Sequence, residues 1–235
     1  MTLWKCPGQE RRDVKPEDVV LAPCPACGAE IEFFPQDVMV RCSTCGKLAR
    51  NPKFNPACAS WCAHAEKCLG EMAAVYQRQP EVLREKLIAA VNQRLVGFPA
   101  ARQRALAAAT YAAELARQEG GSPLVVTAAV LLRDIGLIAA EAGEADPETL
   151  AREVMALANL PPEAVFEAVA VLRALWGGPA TGRLDERLAR DALRLADWSR
   201  EVAGRSRSEA EAMATTFETP AGREIARTKA AKKYD

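Results

Sequence analysis

From residue 80 onward the chain places apolar side chains at i, i+3, i+4 spacing, the stripe of helices packed on a shared core. Breakers divide that pattern into segments. Pro80 opens EVLREKLIAAVNQRLVG, which closes at Gly97, and Pro99 opens a long helix ending at Gly120-Gly121. Ser122-Pro123 reads as an N-cap followed by a first-turn proline, and the helix it starts stops by Gly143. Asp146-Pro147 caps the next helix, and Pro161-Pro162 begins another that ends at Trp176-Gly177-Gly178. A further helix covers about 184–203, and a short last one follows Thr219-Pro220. The pattern predicts an all-α bundle of six or seven helices.

The first 70 residues read differently. They are rich in Cys, Pro and Gly, with short β-like runs, and the change is abrupt near Gly70 or Pro80. We expect a cysteine-rich metal-binding module over 1–70 and a helical domain over 71–235. The expected fold class is mainly α: a small zinc-ribbon-like β module, then an all-α bundle. At 235 residues the chain is long enough for one sizeable core plus a small module. Its 31 Lys+Arg balance 31 Asp+Glu, so no net field draws nucleic acid or an anionic membrane. No apolar run reaches the roughly 18 residues of a membrane span, and MTLWKCPGQERR lacks an apolar signal-peptide core. The expectation is a cytoplasmic protein with no membrane partner.

All eight cysteines lie between Cys6 and Cys68. In a reducing cytoplasm such clustering points to metal rather than disulfides. CPAC (24–27) and CSTC (42–45) are two CxxC turns separated by 14 residues, each followed by glycine, Gly28 and Gly46. Each turn aims two thiolates at one point, and the glycine lets backbone amides approach the sulfurs. Placed at the ends of a hairpin drawn from AEIEFFPQDVMV, they make a tetrahedral cage for Zn²⁺ from Cys24, Cys27, Cys42 and Cys45. Ile31, Phe33, Val38 and Val40 are the candidate inward residues. A closed four-sulfur site leaves no coordination position for chemistry, so its role is structural.

Cys6, Cys58, Cys62 and Cys68 form a second candidate set, for another zinc or an iron–sulfur cluster. Cys58 and Cys62 share a helical face, and His64 and Cys68 share another well over half a turn away. One straight helix cannot bring both pairs to one ion, so either the chain breaks near His64 or only some of them bind. His64, the one histidine, reads as a surface side chain. Residues 1–70 hold nine Lys/Arg and eight Asp/Glu, and zinc on four thiolates adds about −2. The loaded module is neutral to acidic, which argues against binding a phosphate backbone and favours a scaffold or protein-contact role.

In VVTAAVLLRDIGLIAA (125–140) the pair Arg133-Asp134 enters an apolar run. The longer stretch ATYAAELARQEGGSPLVVTAAVLLRDIG resembles the HD-domain metal-dependent phosphohydrolases, whose helices carry a segment much like YA-x-x-LA-x-x-EGG-x-P-x-V-V-x-AA-x-LLHDIG. The likeness runs from about Gly97 to the C-terminus and includes Ala196-Asp197-Trp198. LWKCPGQ, CPAC, CSTC and CASWCAHAEKCLG look like the N-terminal extension of one group of such proteins. The resemblance implies a divalent ion held by an early histidine, the His-Asp pair and a late aspartate, with a metal-activated water attacking a phosphate ester. Here the early histidine falls at Arg104, seven residues before Tyr111, and the histidine of the pair at Arg133. The aspartate of the pair is kept as Asp134. The late aspartate is Asp197, with Asp191 the other choice. Further histidines would fall near Leu175-Trp176, and residues 71–235 contain none.

Arginine stays protonated and offers a metal no lone pair. The reading is therefore a metal-binding protein with a catalytically degenerate HD domain, acting as a non-catalytic binding, regulatory or accessory module. Arg104, Arg133, Asp134 and Asp197 are expected to form a buried network where the ion would sit. A functional version would bind a nucleotide or other phosphorylated ligand; a protein is the other expected partner, and nucleic acid is not expected. Two alternatives stand: a phosphohydrolase with an altered site using Asp134 and Asp197 with a nearby carboxylate such as Asp185 or Asp191, and an iron–sulfur or redox accessory protein using the second cysteine set. The tail from Arg223 carries five Lys/Arg against two acids, a basic helix end that suits the helix dipole; no function is read from it.

Overall fold

The structure is a computed structural model that describes residues 2–5, 15–54, 59, 62, 64–143 and 146–234. It divides into two units, Met1–Val82 and Leu83–Asp235. Residues 71–82, grouped by composition with the helices that follow, belong to the first unit. The reason is packing: helices α1 (Ala65–Leu69) and α2 (Met72–Gln77) bury Ala65, Cys68, Leu69 and Ala73 against Val38 and Phe54.

The first unit contains β1 (Thr2–Lys5), β2 (Val20–Pro23), β3 (Glu30–Phe33), β4 (Asp37–Arg41) and β5 (Leu48–Arg50). β2 pairs antiparallel with β3, Val20 opposite Phe33 and Pro23 opposite Glu30. β4 lies between β1 and β5, antiparallel to both. The two strands of AEIEFFPQDVMV therefore do not pair with each other, as the single-hairpin expectation required. Each CxxC turn instead closes its own hairpin, β2–β3 or β4–β5. The link between β3 and β4 contains Pro35, which has no N–H for a ladder. It is held by side chains: Asp37 Oδ2 accepts from the Phe34 amide at 2.9 Å, and Asn51 Nδ2 donates to the carbonyls of Phe34 (3.1 Å) and Asp37 (2.9 Å). The four residues expected to face inward are all buried, but in two cores. Ile31, Phe33 and Val40 pack with Cys24, Cys42 and Ala49, while Val38 joins the cluster under α1 and α2.

The helical unit follows the breakers closely. Its helices are α3 (Pro80–Arg94), which begins three residues before the division between the units, α4 (Pro99–Glu119), α5 (Pro123–Ala142), α6 (Pro147–Leu157), α7 (Pro162–Leu175), α8 (Leu184–Glu201), α9 (Arg207–Ala214) and α10 (Pro220–Tyr234). Six of these start at a proline, whose fixed φ suits the first turn and whose missing N–H costs nothing there. Asp146 caps α6 by accepting from the Thr149 amide at 2.9 Å, and Ser122 caps α5. Helix α9, absent from the sequence reading, starts in a capping box of Ser206 and Glu209. Helix α10 runs 15 residues rather than being short.

Helix α5 is the centre of this unit. Leu124 through Leu132 are all buried, and the helix packs on α4, α6, α7 and α8. At 20 residues with mean hydropathy 1.8 it is long and apolar enough to cross a bilayer by length and composition, but 72% of that window is buried within the protein. The expectation that no apolar run reaches such a length holds only if Arg133-Asp134 is counted as its end. One residue after Ile135, Gly136 admits the ring of Trp176 from the end of α7. A Cβ at this position would lie 2.6 Å from Trp176 Cζ2 and 3.1 Å from Pro147 Cβ, while Trp176 Nε1 donates to the Arg133 carbonyl at 3.0 Å. Gly136→Ala overpacks this contact, and we expect a loss of about 1–3 kcal/mol in unfolding free energy by chemical denaturation. The fluorescence of Trp176 should shift with it.

Candidate functional site

The two CxxC turns have the same backbone construction. In the first, the Cys24 amide donates to the Ala29 carbonyl at 2.7 Å and the Gly28 amide to the Cys24 carbonyl at 2.9 Å. In the second, the Cys42 amide donates to Lys47 at 2.9 Å and the Gly46 amide to Cys42 at 3.0 Å. Gly28 (φ +76°) and Gly46 (φ +72°) take the left-handed conformation that closes each turn, at little cost for a residue without Cβ. The turns face one another. Cys24 Sγ lies 3.7 Å from Cys45 Sγ, and Cys27 Sγ lies 3.7 Å from Cys42 Sγ. All four sulfurs fall within 4.8 Å of one another. A tetrahedron of metal–sulfur bonds of about 2.3 Å has sulfurs about 3.8 Å apart, so the cage already has the dimensions for Zn²⁺. Cys24 and Cys42 are buried while Cys27 and Cys45 are exposed, so the site is anchored in the core on one side and reachable on the other.

Thiol acidity reflects that crowding. Backbone amides of Cys45 and Thr44 pull Cys42 down to about 6, and the amides of Ala26 and Cys27 lower Cys24. Cys27 moves the other way, up to about 12: the Ala29 amide acts to lower it, but the Cys45 thiol, desolvation and the sulfurs of Cys42 and Cys24 outweigh that pull. Cys27 faces solvent, so we assign the rise to the neighbouring sulfurs rather than to burial. Negative charge gathering on the sulfurs beside it makes a further thiolate unfavourable until a cation arrives.

The second cysteine set is only partly within the described residues; Cys6 and Cys58 lie outside them. Helix α1 begins at Ala65 with His64 at its N-cap, so Cys62 precedes the helix and Cys68 lies inside it. His64 is exposed, and its amide donates to Cys62 Sγ at 3.4 Å. Cys68 is buried among apolar side chains, with Cys62 packed against the same cluster.

In the helical unit the structure brings Arg104 of α4, Arg133 and Asp134 of α5, and Asp197 of α8 into one cluster. Arg104 Nη1 lies 3.6 Å from Asp134 Oδ2, and Arg104 Nε lies 2.8 Å from Asp197 Oδ2. The second contact is an ion pair rather than an aligned hydrogen bond, because that N–H finds no acceptor in line. Arg133 Nη1 donates to Asp134 Oδ1 at 2.7 Å. Arg200, one turn beyond Asp197, also pairs with it and was not singled out from the sequence; its i+3 spacing was the available signal. Asp134 is only 6% exposed, so its charge depends on these partners. Trp176, near the position where the resemblance would place further histidines, covers the Arg133 backbone instead.

The neighbouring carboxylates are committed elsewhere. Asp191 is fully buried and accepts from the Glu218 amide (3.0 Å), the Thr219 amide (2.8 Å) and the Thr219 hydroxyl (2.7 Å), fixing the start of α10. Asp185 accepts from the Ser122 amide at 3.0 Å at the start of α5. Neither joins Asp134 and Asp197. Compared with family models, characterised proteins and solved structures, the chain finds no match.

Two outcomes follow from these geometries. Zinc binding at pH 7 should release fewer than four protons, because Cys42 is pulled down to about 6. Cys42 has its folded value below its ordinary 9.0; the stability its thiolate contributes is present at high pH and is lost as pH falls through about 6. Proton release, read by calorimetry in buffers of different ionisation enthalpy, should therefore rise toward four below that pH. In the helical unit, Asp134→Asn leaves Arg104 and Arg133 without their shared carboxylate. We expect a loss of about 3 kcal/mol, or roughly 6–12 °C in Tm, against a change within about 0.5 kcal/mol for exposed Arg200→Ala.

Proposed function

We propose that the chain is a metal-binding protein in which a zinc-loaded cysteine module accompanies a degenerate HD-type helical domain that binds rather than hydrolyses. The observation that carries this reading is the position of Arg104. Its guanidinium lies against Asp134 and Asp197 together, 3.6 and 2.8 Å away, where the resemblance implies a divalent ion. Two guanidinium groups, Arg104 and Arg133, supply the two positive charges that such an ion would bring to two carboxylates. They supply nothing else the ion would. An arginine has no lone pair for a metal and cannot lower the pKa of a bound water as a metal does. The residues present therefore do not fit a catalytic metal, and we route no reaction step through one.

The cysteine centre has the opposite character. Its four donors, their spacing and their lowered thiol values at Cys24 and Cys42 suit a permanently held ion with no open position. This supports a structural role and a surface that meets a protein partner, since the loaded module carries no cationic excess with which to hold a phosphate backbone.

The test is to give the helical site back its donors. In the full-length chain, Arg104→His with Arg133→His places two imidazoles beside Asp134 and Asp197. We expect the unaltered chain to take up no Mn²⁺ beyond its cysteine sites and to leave bis-p-nitrophenyl phosphate intact, and the double variant to gain one Mn²⁺ per chain. Manganese-dependent hydrolysis by the unaltered chain, abolished by Asp134→Asn, would overturn the proposal.

A further inference from the structure

Four of the eight cysteines build the cage. The other four, Cys6, Cys58, Cys62 and Cys68, belong to the same unit. On a straight helix Cys62 and Cys68 could not meet one ion. Six positions at about 100° per residue leave them roughly 120° apart. The structure removes that obstacle. Helix α1 starts only at Ala65, and the turn before it is closed by the Ala65 amide donating to the Cys62 carbonyl at 3.2 Å. Cys62 thus stands ahead of the helix and Cys68 within it, and both pack on one cluster with Val38, Phe54 and Ala65.

The sulfur of Cys62 is held as the cage sulfurs are. It accepts the amide of His64, two residues on, at 3.4 Å. In the cage, Cys24 accepts from the amide of Ala26 and Cys42 from that of Thr44, again two residues on. An amide aimed at sulfur favours thiolate over thiol, and the thiolate is the form that binds metal. A cysteine that only fills apolar space needs no such donor. Cys68, 4% exposed, would fit that description by burial alone; Cys62, with its amide, does not.

Cys6 and Cys58 lie outside the described residues, but the residues joined to them do not. Lys5 ends β1, which packs beside α1 and pairs with β4 opposite Asp37. Ala59 is fully buried in the cluster that holds Cys68, and its carbonyl accepts from Gln77 Nε2 of α2 at 3.2 Å. Both neighbours therefore border the α1–α2 pair that carries Cys68. We propose that Cys62 and Cys68 belong to a second thiolate centre for Zn²⁺, completed by Cys6 and Cys58. Four sulfur donors suit that ion and leave no coordination position open. One such ion ties the end of β1 to α1, as an ion in the cage ties the two hairpins. The centre shares no residue with the cage or with the Arg104 cluster, so it stands or falls apart from both.

The test is the zinc content of the full chain, loaded with Zn²⁺ alone, desalted over a chelating resin and read by elemental analysis. We expect two Zn²⁺ per chain. Cys62→Val, which keeps a small apolar side chain and loses the donor, should leave one. Cys24→Ser with Cys42→Ser should also leave one, and the triple variant none. Cys6→Ser and Cys58→Ser should each give the same loss as Cys62→Val, and adding either to Cys62→Val should remove nothing more. The ion that Cys62→Val retains in its cage shows that the variant has lost a ligand rather than its fold. One Zn²⁺ per chain, removed by Cys24→Ser with Cys42→Ser, overturns the second centre and leaves the cage standing. A second equivalent that survives Cys62→Val, or iron with acid-labile sulfide in its place after anaerobic purification, overturns it too.

Discussion

The helical unit depends on one guanidinium. Arg104 reaches from α4 to a carboxylate on α5 and another on α8, so three helices meet at a single side chain. Asp134, the most enclosed of the group, sits on the most buried helix of the unit, where an unpaired carboxylate is costly. The chain keeps the charge and supplies cations to match it. Arg133 extends the arrangement in two directions: its side chain holds Asp134, and its backbone carbonyl receives the Trp176 indole. The absence of a side chain at Gly136 makes room for that ring, so α7 is positioned by the same few residues.

The first unit solves a different problem. Its apolar cores are small and divided between the two hairpins and the two short helices, which is little burial for a domain of this size. Four sulfurs converge between the β2–β3 turn and the β4–β5 turn, and an ion held among them would tie together strands that share no ladder. The two units thus use charge in opposite ways. Thiolates gathered without cations invite a metal, whereas carboxylates already matched by arginines turn one away.

Much of this was legible in the sequence because its signals are local. Prolines at first-turn positions and glycines after last turns mark most helices of the second unit, and CxxC-Gly turns carry their ligand geometry within a few residues. The failures were of two kinds. The capping box at Ser206 and Glu209 was local and went unread. The strand pairing was not local: alternation within AEIEFFPQDVMV says which side chains face inward, not which strand lies alongside. The same limit separated the aspartates of α8. Asp191 and Asp197 differ by six positions on one helix, and only packing shows that Asp191 caps the turn before α10 while Asp197 faces Arg104. Lys229 of α10 meets Tyr111 of α4 only through the fold, so from sequence the tail reads as no more than a basic helix end.

The account's central claim is that metal belongs to the cysteines and not to the Arg104 cluster. Elemental analysis of the full chain, equilibrated with zinc, manganese and iron and then desalted, tests this directly when repeated on Cys24→Ser with Cys42→Ser and, separately, on Asp134→Asn. The account predicts zinc in the unaltered chain, one equivalent less in the cysteine variant, and the same metal content in Asp134→Asn as in the unaltered chain. Manganese or iron that persists in the cysteine variant and disappears with Asp134→Asn would contradict it.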